Sequence, residues 1–249
     1  MSERADISNR GPETGSFFQR DRTWHPPAFT PGYKTSVLRS PQKALLSLDN
    51  TISEITGPVF GHNMLGELDD DMIFNFAKPG ESAIGQRIIV YGRVLDERGK
   101  GVSGALVEVW QANAAGRYRH DGDRHDAPLD PYFTGAGQVV TDADGRYEFV
   151  TIEPGAYPWG NHHNAWRPRH IHFSLFGQAW AARLVTQMYF PGDPLLPLDP
   201  IYMGIADGAA RERLVSAFDL ERTVPDHALA YRFDIVLRGR RETPWEERS

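Results

Sequence analysis

From residue 87 onward, short apolar segments alternate with turn-forming residues, which is the pattern of β-strands. Arg87–Leu95 and residues 105–111 are rich in β-branched side chains, and the turn-forming sequence Asp-Glu-Arg-Gly-Lys-Gly lies between them. His170–Phe176 is a further strand candidate. Residues 230–238 alternate clearly, and their apolar side chains share one face: Tyr231, Phe233, Ile235 and Leu237.

Turns and one helix complete the pattern. The dipeptide Asp144-Gly145 predicts a hairpin turn in front of an alternating apolar segment. An amphipathic helix is predicted over residues 207–218, with three apolar side chains on one face: Leu214, Val215 and Phe218. Many short strands and few helices predict a mainly β fold, a β-sandwich with long loops and few short helices.

The N-terminal part of the chain lacks this periodicity. Residues 1 to about 35 are rich in Arg, Pro, Gly and Thr, and we expect an extended arm that becomes ordered only against another surface. The acidic run at 69–71 is interpreted as a solvated turn rather than a metal site. We therefore divide the chain into an arm with short elements over residues 1–80 and a β-sandwich domain over residues 81–249.

Composition narrows the function classes. The 249 residues are 40% hydrophobic, with no apolar run near the eighteen or so residues of a spanning helix. The net charge is −6 without a basic stripe, which argues against nucleic-acid binding. The chain contains no cysteine, so His, Tyr, Asp and Glu are the strong metal ligands it offers. The first residues do not resemble a secretory signal, and we expect a cytoplasmic protein.

The sharpest local feature is His170-Ile171-His172. Residues two apart in a strand project from the same face, so the two imidazoles would lie side by side. Two such imidazoles commonly hold adjacent corners of a metal's coordination sphere. A pair of hydrogen-bonded histidines lining a pocket is the alternative, and both interpretations stay open at this stage.

Tyrosine is the other candidate ligand nearby. Tyr118 and Tyr157 each follow a glycine closely in the sequence. A phenol has a pKa of about 10, so its ionisation near neutral pH needs a concentrated positive charge such as Fe(III). For either tyrosine taken singly, a corner residue whose ring packs in the core and whose hydroxyl bonds to the backbone is the favoured interpretation.

Three other polar clusters favour simpler interpretations. Residues 120–126 contain two histidines and three aspartates, and we interpret them as a solvated polar loop. The adjacent side chains of His162 and His163 diverge on an extended chain. Residues 142–145 are similar to a calcium loop, but Thr151 occupies the position of the required Glu.

Several segments together resemble the intradiol ring-cleaving dioxygenases, in order and in spacing. The central match is Gly-Ala-Tyr-Pro-Trp followed by Trp-Arg-Pro-Arg-His-Ile-His-Phe. Other segments agree with the β chains of the hetero-oligomeric members of this family. The matching residues are 31–36, 104–113, 116–118, 141–147, 155–159, 166–173, 187–190 and 230–239.

The resemblance implies a site and a cofactor. It implies one non-haem Fe(III) per chain, held by four side chains: Tyr118, Tyr157, His170 and His172. It assigns Tyr157 a second role as the ligand that leaves and takes a substrate proton. Arg167 would stabilise negative charge on the ring, and Gln187 would lie in the pocket. The pocket wall would comprise Tyr33, Trp110, Trp159 and Ile201. Arg169 stands where a smaller residue is expected.

The same resemblance implies the activity and the partners. The expected reaction is cleavage of protocatechuate by O2 to 3-carboxy-cis,cis-muconate, in the β-ketoadipate pathway of aromatic-compound catabolism. A homologous α subunit would form αβ units that assemble further, and residues 1–80 would pack on that partner. Neither nucleic acid nor membrane is expected as a partner.

Two other classes of protein compete with this interpretation. A non-enzymatic transthyretin-like β-sandwich shares the Asp-x-x-Gly-x-Tyr-x-Phe and Pro-Gly-x-Tyr patterns. It does not require the histidine pair downstream of Tyr157. A zinc hydrolase could use His170 and His172, but no third His or carboxylate is convincingly placed.

Overall fold

The computed structural model describes residues 25–27, 29–39, 65–176, 183–237, 239 and 241–245. The helices within these ranges are short: α1 Lys34–Arg39, α2 Pro200–Met203, α3 Gly208–Glu212 and a 3-10 helix at Leu196–Leu198. Within the same ranges, none of the helices is long and apolar enough to cross a membrane. The strands are β1 Arg87–Leu95, β2 Leu106–Trp110, β3 Ala136–Val140, β4 Arg146–Ile152, β5 Tyr157–Pro158, β6 Trp166–Arg167, β7 His170–Phe176, β8 Arg183–Tyr189, β9 Ala217–Val224, β10 Ala228–Arg232 and β11 Ile235–Val236. The prediction of a mainly β fold is confirmed.

Two sheets form the sandwich. In the first sheet β1 pairs in parallel with β10 and β11 on one side and antiparallel with β4 on the other, and β9 follows β10. The second sheet has the antiparallel order β3-β2-β7-β8. A short ribbon of β5 and β6 lies apart from both sheets.

One hydrophobic core lies between the sheets. β1 alternates between buried and partly buried positions along its whole length, and its buried side chains join those of β2, β7 and β8. The Phe173 ring of the second sheet contacts rings on the first at centroid distances of 6.0, 5.9 and 5.2 Å: Tyr147, Phe149 and Phe233. Burial of each large apolar side chain contributes about 1.5–3 kcal/mol, so this layer holds the sheets together.

The turn at Asp144-Gly145 is present, but the predicted hairpin is wrong. The Asp142 carboxylate accepts hydrogen bonds from the N–H groups of Asp144 and Arg146, which makes the turn tight. The strands on either side belong to different sheets, because β3 pairs with β2 and β4 pairs with β1. Residues 141–145 therefore carry the chain from one layer of the sandwich to the other.

The predicted helix over 207–218 is shorter than expected. Asp207 caps α3 by accepting hydrogen bonds from the N–H groups of Ala209 and Ala210, and the helix ends at Glu212. The chain then bonds to Tyr189 at the end of β8, through the carbonyl of Leu214 and the N–H of Ser216. This strand-like pairing extends the backbone, so Phe218 lies in β9 and is 46% exposed. Leu214 is buried as predicted.

The alternating segment at 230–238 also differs from the prediction. It begins at Ala228, and β10 ends at Arg232 before β11 resumes at Ile235. Phe233 still donates its N–H to the carbonyl of Tyr91, so the segment follows β1 throughout. Phe233 and Ile235 are buried as the alternation predicts.

Parts of the predicted arm pack on the chain's own body. The His25 ring stacks on Trp245 at 3.7 Å. Met72 and Ile73 are completely buried in the sandwich core. The acidic run is a turn, as expected, and Asp71 bridges to Val150. Residues 1–24 and 40–64 lie outside the described residues, and packing of the arm on a partner chain stays a prediction.

Candidate metal centre and substrate pocket

The histidine pair lies on the face of β7 that points away from the sandwich core. Ile171 and Phe173 enter the core, so His170 and His172 project from the opposite face, where both are buried. The neighbouring strands supply the side chains around them. Trp110 of β2 stacks on the His172 ring at 4.7 Å, and Gln187 of β8 is the register partner of His172.

The Nε2 atoms of the two imidazoles converge on one point, and the tautomer of His170 is fixed by its backbone contact. Nδ1 of His170 lies 2.7 Å from the carbonyl oxygen of Pro168, which can only accept, so Nδ1 carries the proton and Nε2 does not. Nε2 of His170 lies 3.2 Å from Nε2 of His172. Burial, and then the positive charge of Arg167 and the neighbouring His172, hold the pKa of His170 well below 6.5. A neutral, buried imidazole with a fixed tautomer is the form that binds metals.

Both predicted tyrosines converge on this pair. The phenol oxygen of Tyr157 lies 3.3 Å from Nε2 of His170. The Tyr118 ring meets the Tyr157 ring edge-on at 5.3 Å and lies 6.4 Å from the His172 ring. The structure thus brings the four sequence-predicted ligands together from β5, β7 and the loop after β2.

Two glycines allow the tyrosine-bearing segments to approach each other. Gly116 has a φ of +76°, and a Cβ there would lie 2.2 Å from the carbonyl oxygen of Ala156. A Cβ at Gly155 would lie 2.5 Å from the carbonyl oxygen of Ala114. The carbonyl of Asn113 accepts the N–H groups of both glycines, which locks the two segments in contact. Side chains at either glycine would push Tyr118 and Tyr157 apart.

The donor set fits a metal ion. Two ligands at right angles on metal bonds of about 2.1 Å lie about 3 Å apart, close to the observed separations of 3.2 and 3.3 Å. In the described ranges, no three His, Cys, Asp or Glu side chains form a metal-binding group. The anionic donors beside the histidines are therefore phenols, which suit a hard trivalent ion such as Fe(III) better than zinc.

Arg167 is the centre of a buried polar network next to these ligands. Its Nε donates to the Asp199 carboxylate at 3.2 Å, and its Nη2 donates to the Gln187 amide oxygen at 2.6 Å. The Tyr189 hydroxyl lies within 3.2 Å of the same Nη2 and donates to the same amide oxygen. β5 and β6 place Arg167 directly opposite Tyr157. The predicted residues Arg167 and Gln187 are therefore both beside the site.

Asp199 and Tyr189 were missed by the sequence reasoning. Asp199 is fully buried, and its second carboxylate oxygen caps α2 by accepting the N–H of Ile201. An Asp before a proline is a helix-start signal, so the cap could have been predicted. The ion pair with Arg167 could not, because nothing local in the sequence links these two positions.

A cavity of about 710 Å³ opens over the candidate ligands, within the usual range for small-molecule pockets. The described lining residues include Tyr118, Tyr157, His172, Trp110 and Trp159. Tyr33 and Ile201 are not among them. Tyr33 packs on Trp159 at a ring distance of 5.3 Å, and Ile201 lies on α2. Two of the buried nitrogens that lack hydrogen-bond partners within the described residues belong to predicted site residues: Nε1 of Trp159 and Nε2 of Gln187.

The loop over residues 120–125 also lines this cavity. Its sequence predicts only a solvated polar loop, and its position at the cavity was not predicted. Asp123 ties it to the site, because its carboxylate accepts the N–H of Tyr118 at 2.7 Å and that of His125 at 2.8 Å. Arg124 is the sole Lys or Arg among the described lining residues.

The fold and the donor set together define a β-sandwich protein with a candidate metal centre of two histidines and two tyrosines. Residues 55–239 match the family model described as "Dioxygenase", and residues 18–51 match "Protocatechuate 3,4-dioxygenase beta subunit N terminal". The chain therefore belongs to the intradiol ring-cleaving dioxygenases, as its resemblance predicted. Members of this family generally depend on non-haem iron.

Individual relatives agree with this family. The chain is 60% identical over 227 residues to a protocatechuate 3,4-dioxygenase beta chain from Burkholderia cepacia, covering 91% of this chain and 96% of that protein. It is 33% identical to a protocatechuate 3,4-dioxygenase alpha chain from Pseudomonas putida, covering 70% and 82% of the two chains. The fold is similar to that of 3-chlorocatechol 1,2-dioxygenase from Rhodococcus opacus 1CP, with a TM-score of 0.51, 22% identity, and coverage of 67% and 63%.

Proposed function

We propose that this chain is the iron-bearing β chain of a heteromeric enzyme that cleaves protocatechuate with O2 to 3-carboxy-cis,cis-muconate, in the β-ketoadipate pathway. The observation that carries the proposal is the convergence of two imidazoles and two phenols beneath a ligand-sized cavity. The 60% identity to a protocatechuate 3,4-dioxygenase beta chain supports the choice of substrate.

One Fe(III) per chain would be held by Tyr118, Tyr157, His170 and His172. Two phenolates and two neutral imidazoles leave one positive charge, which a hydroxide can balance. Bound iron would be chelated by the two catechol oxygens, which would make the ring reactive towards dioxygen without an external reductant.

The chain's own residues would prepare the substrate. A catechol must lose two protons to bind as a dianion; the phenolate oxygen of Tyr157 would accept one of them and the hydroxide would accept the other. Arg167 would stabilise negative charge on the ring oxygens, and the Gln187 amide N–H would donate a hydrogen bond into the site. Trp110 and Trp159 would hold the ring flat between apolar walls and exclude water.

Selection of a carboxylated catechol needs a cation or a donor far from the chelating oxygens. Arg124 is the fixed positive charge in the described cavity lining, while the adjacent Asp123 is engaged by backbone N–H groups and Arg117. We propose that Arg124 attracts the substrate carboxylate and that Tyr33 and Ile201 complete the wall on substrate binding.

An α chain would be the structural partner, as the names of the two relatives suggest. Residues 1–80 would pack on that chain, αβ units would assemble further, and residues 81–249 would form the catalytic domain. The proposal keeps the cytoplasmic location expected from the sequence.

Oxygen uptake by the chain co-purified with its α partner tests this function. Addition of protocatechuate should consume one O2 per substrate, and isotopically heavy O2 should place both oxygen atoms in 3-carboxy-cis,cis-muconate. Zinc-loaded complex should be inactive. Turnover by the zinc form, or a product carrying a single labelled oxygen, would refute the assignment.

A further inference from the structure

A short N-terminal segment is docked beside the proposed substrate pocket. Residues 30–36 form a compact turn in which the buried Ser36 hydroxyl donates to the carbonyl of Thr30 at 2.6 Å and accepts the Thr30 N–H at 2.9 Å. The same turn places Gly32 against α2, since a Cβ at Gly32 would lie 3.3 Å from the Cβ of Pro200. The segment therefore presents Tyr33 to the rest of the chain as part of a preformed unit.

One side chain of the body bonds to the backbone on both sides of Tyr33. The amide nitrogen of Asn161 donates to the carbonyl of Gly32 at 2.8 Å, and its amide oxygen accepts the N–H of Lys34 at 2.8 Å. Asn161 lies two residues after Trp159, whose ring contacts Tyr33 at 5.3 Å. The side-chain amide of Asn161 thus uses both its donor and its acceptor to join the N-terminal segment to the loop that forms the pocket wall.

Among the residues that the structure describes, two others of the same loop make no comparable contact with the N-terminal segment. His162 and Asn164 are exposed, and their hydrogen bond to each other stays within the loop. The loop is itself fixed at its base, because the backbone N–H of Trp159 donates to the carbonyl of Ala165. A loop that is fixed at its base and bonds to the segment through both polar atoms of Asn161 is suited to positioning that segment.

We propose that Asn161 is a positioning residue that sets selectivity for carboxylated catechols, by holding Tyr33 against Trp159 at the edge of the pocket. This inference rests on the proposed function. The chelating end of the substrate binds among the four candidate ligands, so Asn161 acts on the opposite, carboxylate-bearing end. Loss of the Asn161 contacts would loosen the backbone that carries Tyr33 without moving the metal donors.

Binding of protocatechuate and of catechol, which lacks the carboxylate, tests the proposal. Both are titrated without oxygen into the iron-loaded complex, and the shift of the visible band gives each dissociation constant. Asn161→Ala should weaken protocatechuate binding by about tenfold, the effect of losing hydrogen bonds worth about 1.4 kcal/mol in total. The catechol constant should change by less than about twofold, and Asn164→Ala, in the same loop, should change neither.

A double-mutant cycle with Tyr33→Phe distinguishes positioning from general loosening of the loop. Asn161 is proposed to act through Tyr33, whose hydroxyl would donate to the substrate carboxylate. In the Tyr33→Phe background that hydroxyl is absent, so Asn161→Ala should add less than about a twofold effect. Equal weakening of both ligands, multiplying effects in the cycle, or no change in protocatechuate binding would each overturn the inference. The wild-type complex reports separately on the proposed function, since a failure there would appear as absent iron or absent protocatechuate turnover.

Discussion

Replacement of Asp199 by Asn removes one charge from the buried network and changes little else. Asn keeps an oxygen that can accept the N–H of Ile201 and cap α2, and it is nearly isosteric with Asp. What is lost is the negative charge 3.2 Å from Nε of Arg167. The substitution therefore isolates the ion pair from the helix cap.

The size of the effect follows from burial. The side chains of Arg167 and Asp199 are 5% and 0% exposed, so solvent screens neither charge. Breaking such a pair typically costs 3–5 kcal/mol. Gln187 and Tyr189 still bond to the guanidinium, which favours the lower end, about 3 kcal/mol. For a chain of this size, the thermal midpoint should fall by roughly 6–12 °C.

Thermal unfolding at one protein concentration, followed by circular dichroism, measures this shift. Asp199→Ala should lose about 1 kcal/mol more, because it also removes the cap. Asp207→Asn is the matched control, since Asp207 caps α3 but forms no ion pair within the described residues. Its midpoint should stay within about 2 °C of the wild type. A similarly small shift for Asp199→Asn would refute the importance of the buried charge pair.

Two further predictions concern the site itself. Gly116→Ala should strongly reduce the iron bound per chain, because its Cβ would collide with the Ala156 carbonyl. Gly208→Ala is the control and should retain iron, because a Cβ at Gly208 would make only ordinary contacts. Metal analysis measures the iron content of both variants. Arg124→Gln should raise KM for protocatechuate about tenfold at low ionic strength, and less at high salt, because an attraction between charges is screened. Steady-state kinetics at two salt concentrations checks this, and an equal loss at both would contradict an electrostatic role.

Local pattern predicted the strands well, because alternation of side chains reports directly which face is buried. β1 and β7 have the predicted bounds, and the buried residues of β1 alternate with partly buried ones. The pairing of strands is non-local, so the same turn at Asp144-Gly145 could end a hairpin or cross between sheets. Only the partners of β3 and β4 decide between these outcomes.

The candidate ligands were predictable for a different reason. The spacing of His170 and His172 indicates a shared face, but their association with Tyr118 and Tyr157 came from the family resemblance. Side chains that act across long separations were not predictable. Asp199 lies 32 residues from Arg167, and Asn161 lies more than 120 residues from the segment that it holds.

The visible absorption spectrum of the complex, measured together with its iron content, tests the central claim most directly. Coordination of ferric iron by Tyr118 and Tyr157 predicts a red-brown complex with one iron per copy of this chain. Its charge-transfer band should shift when protocatechuate is added without oxygen and should weaken in Tyr118→Phe. A complex that stays colourless after incubation with iron, or a charge-transfer band that does not shift when protocatechuate is added, would contradict both the ligand set and the proposed reaction.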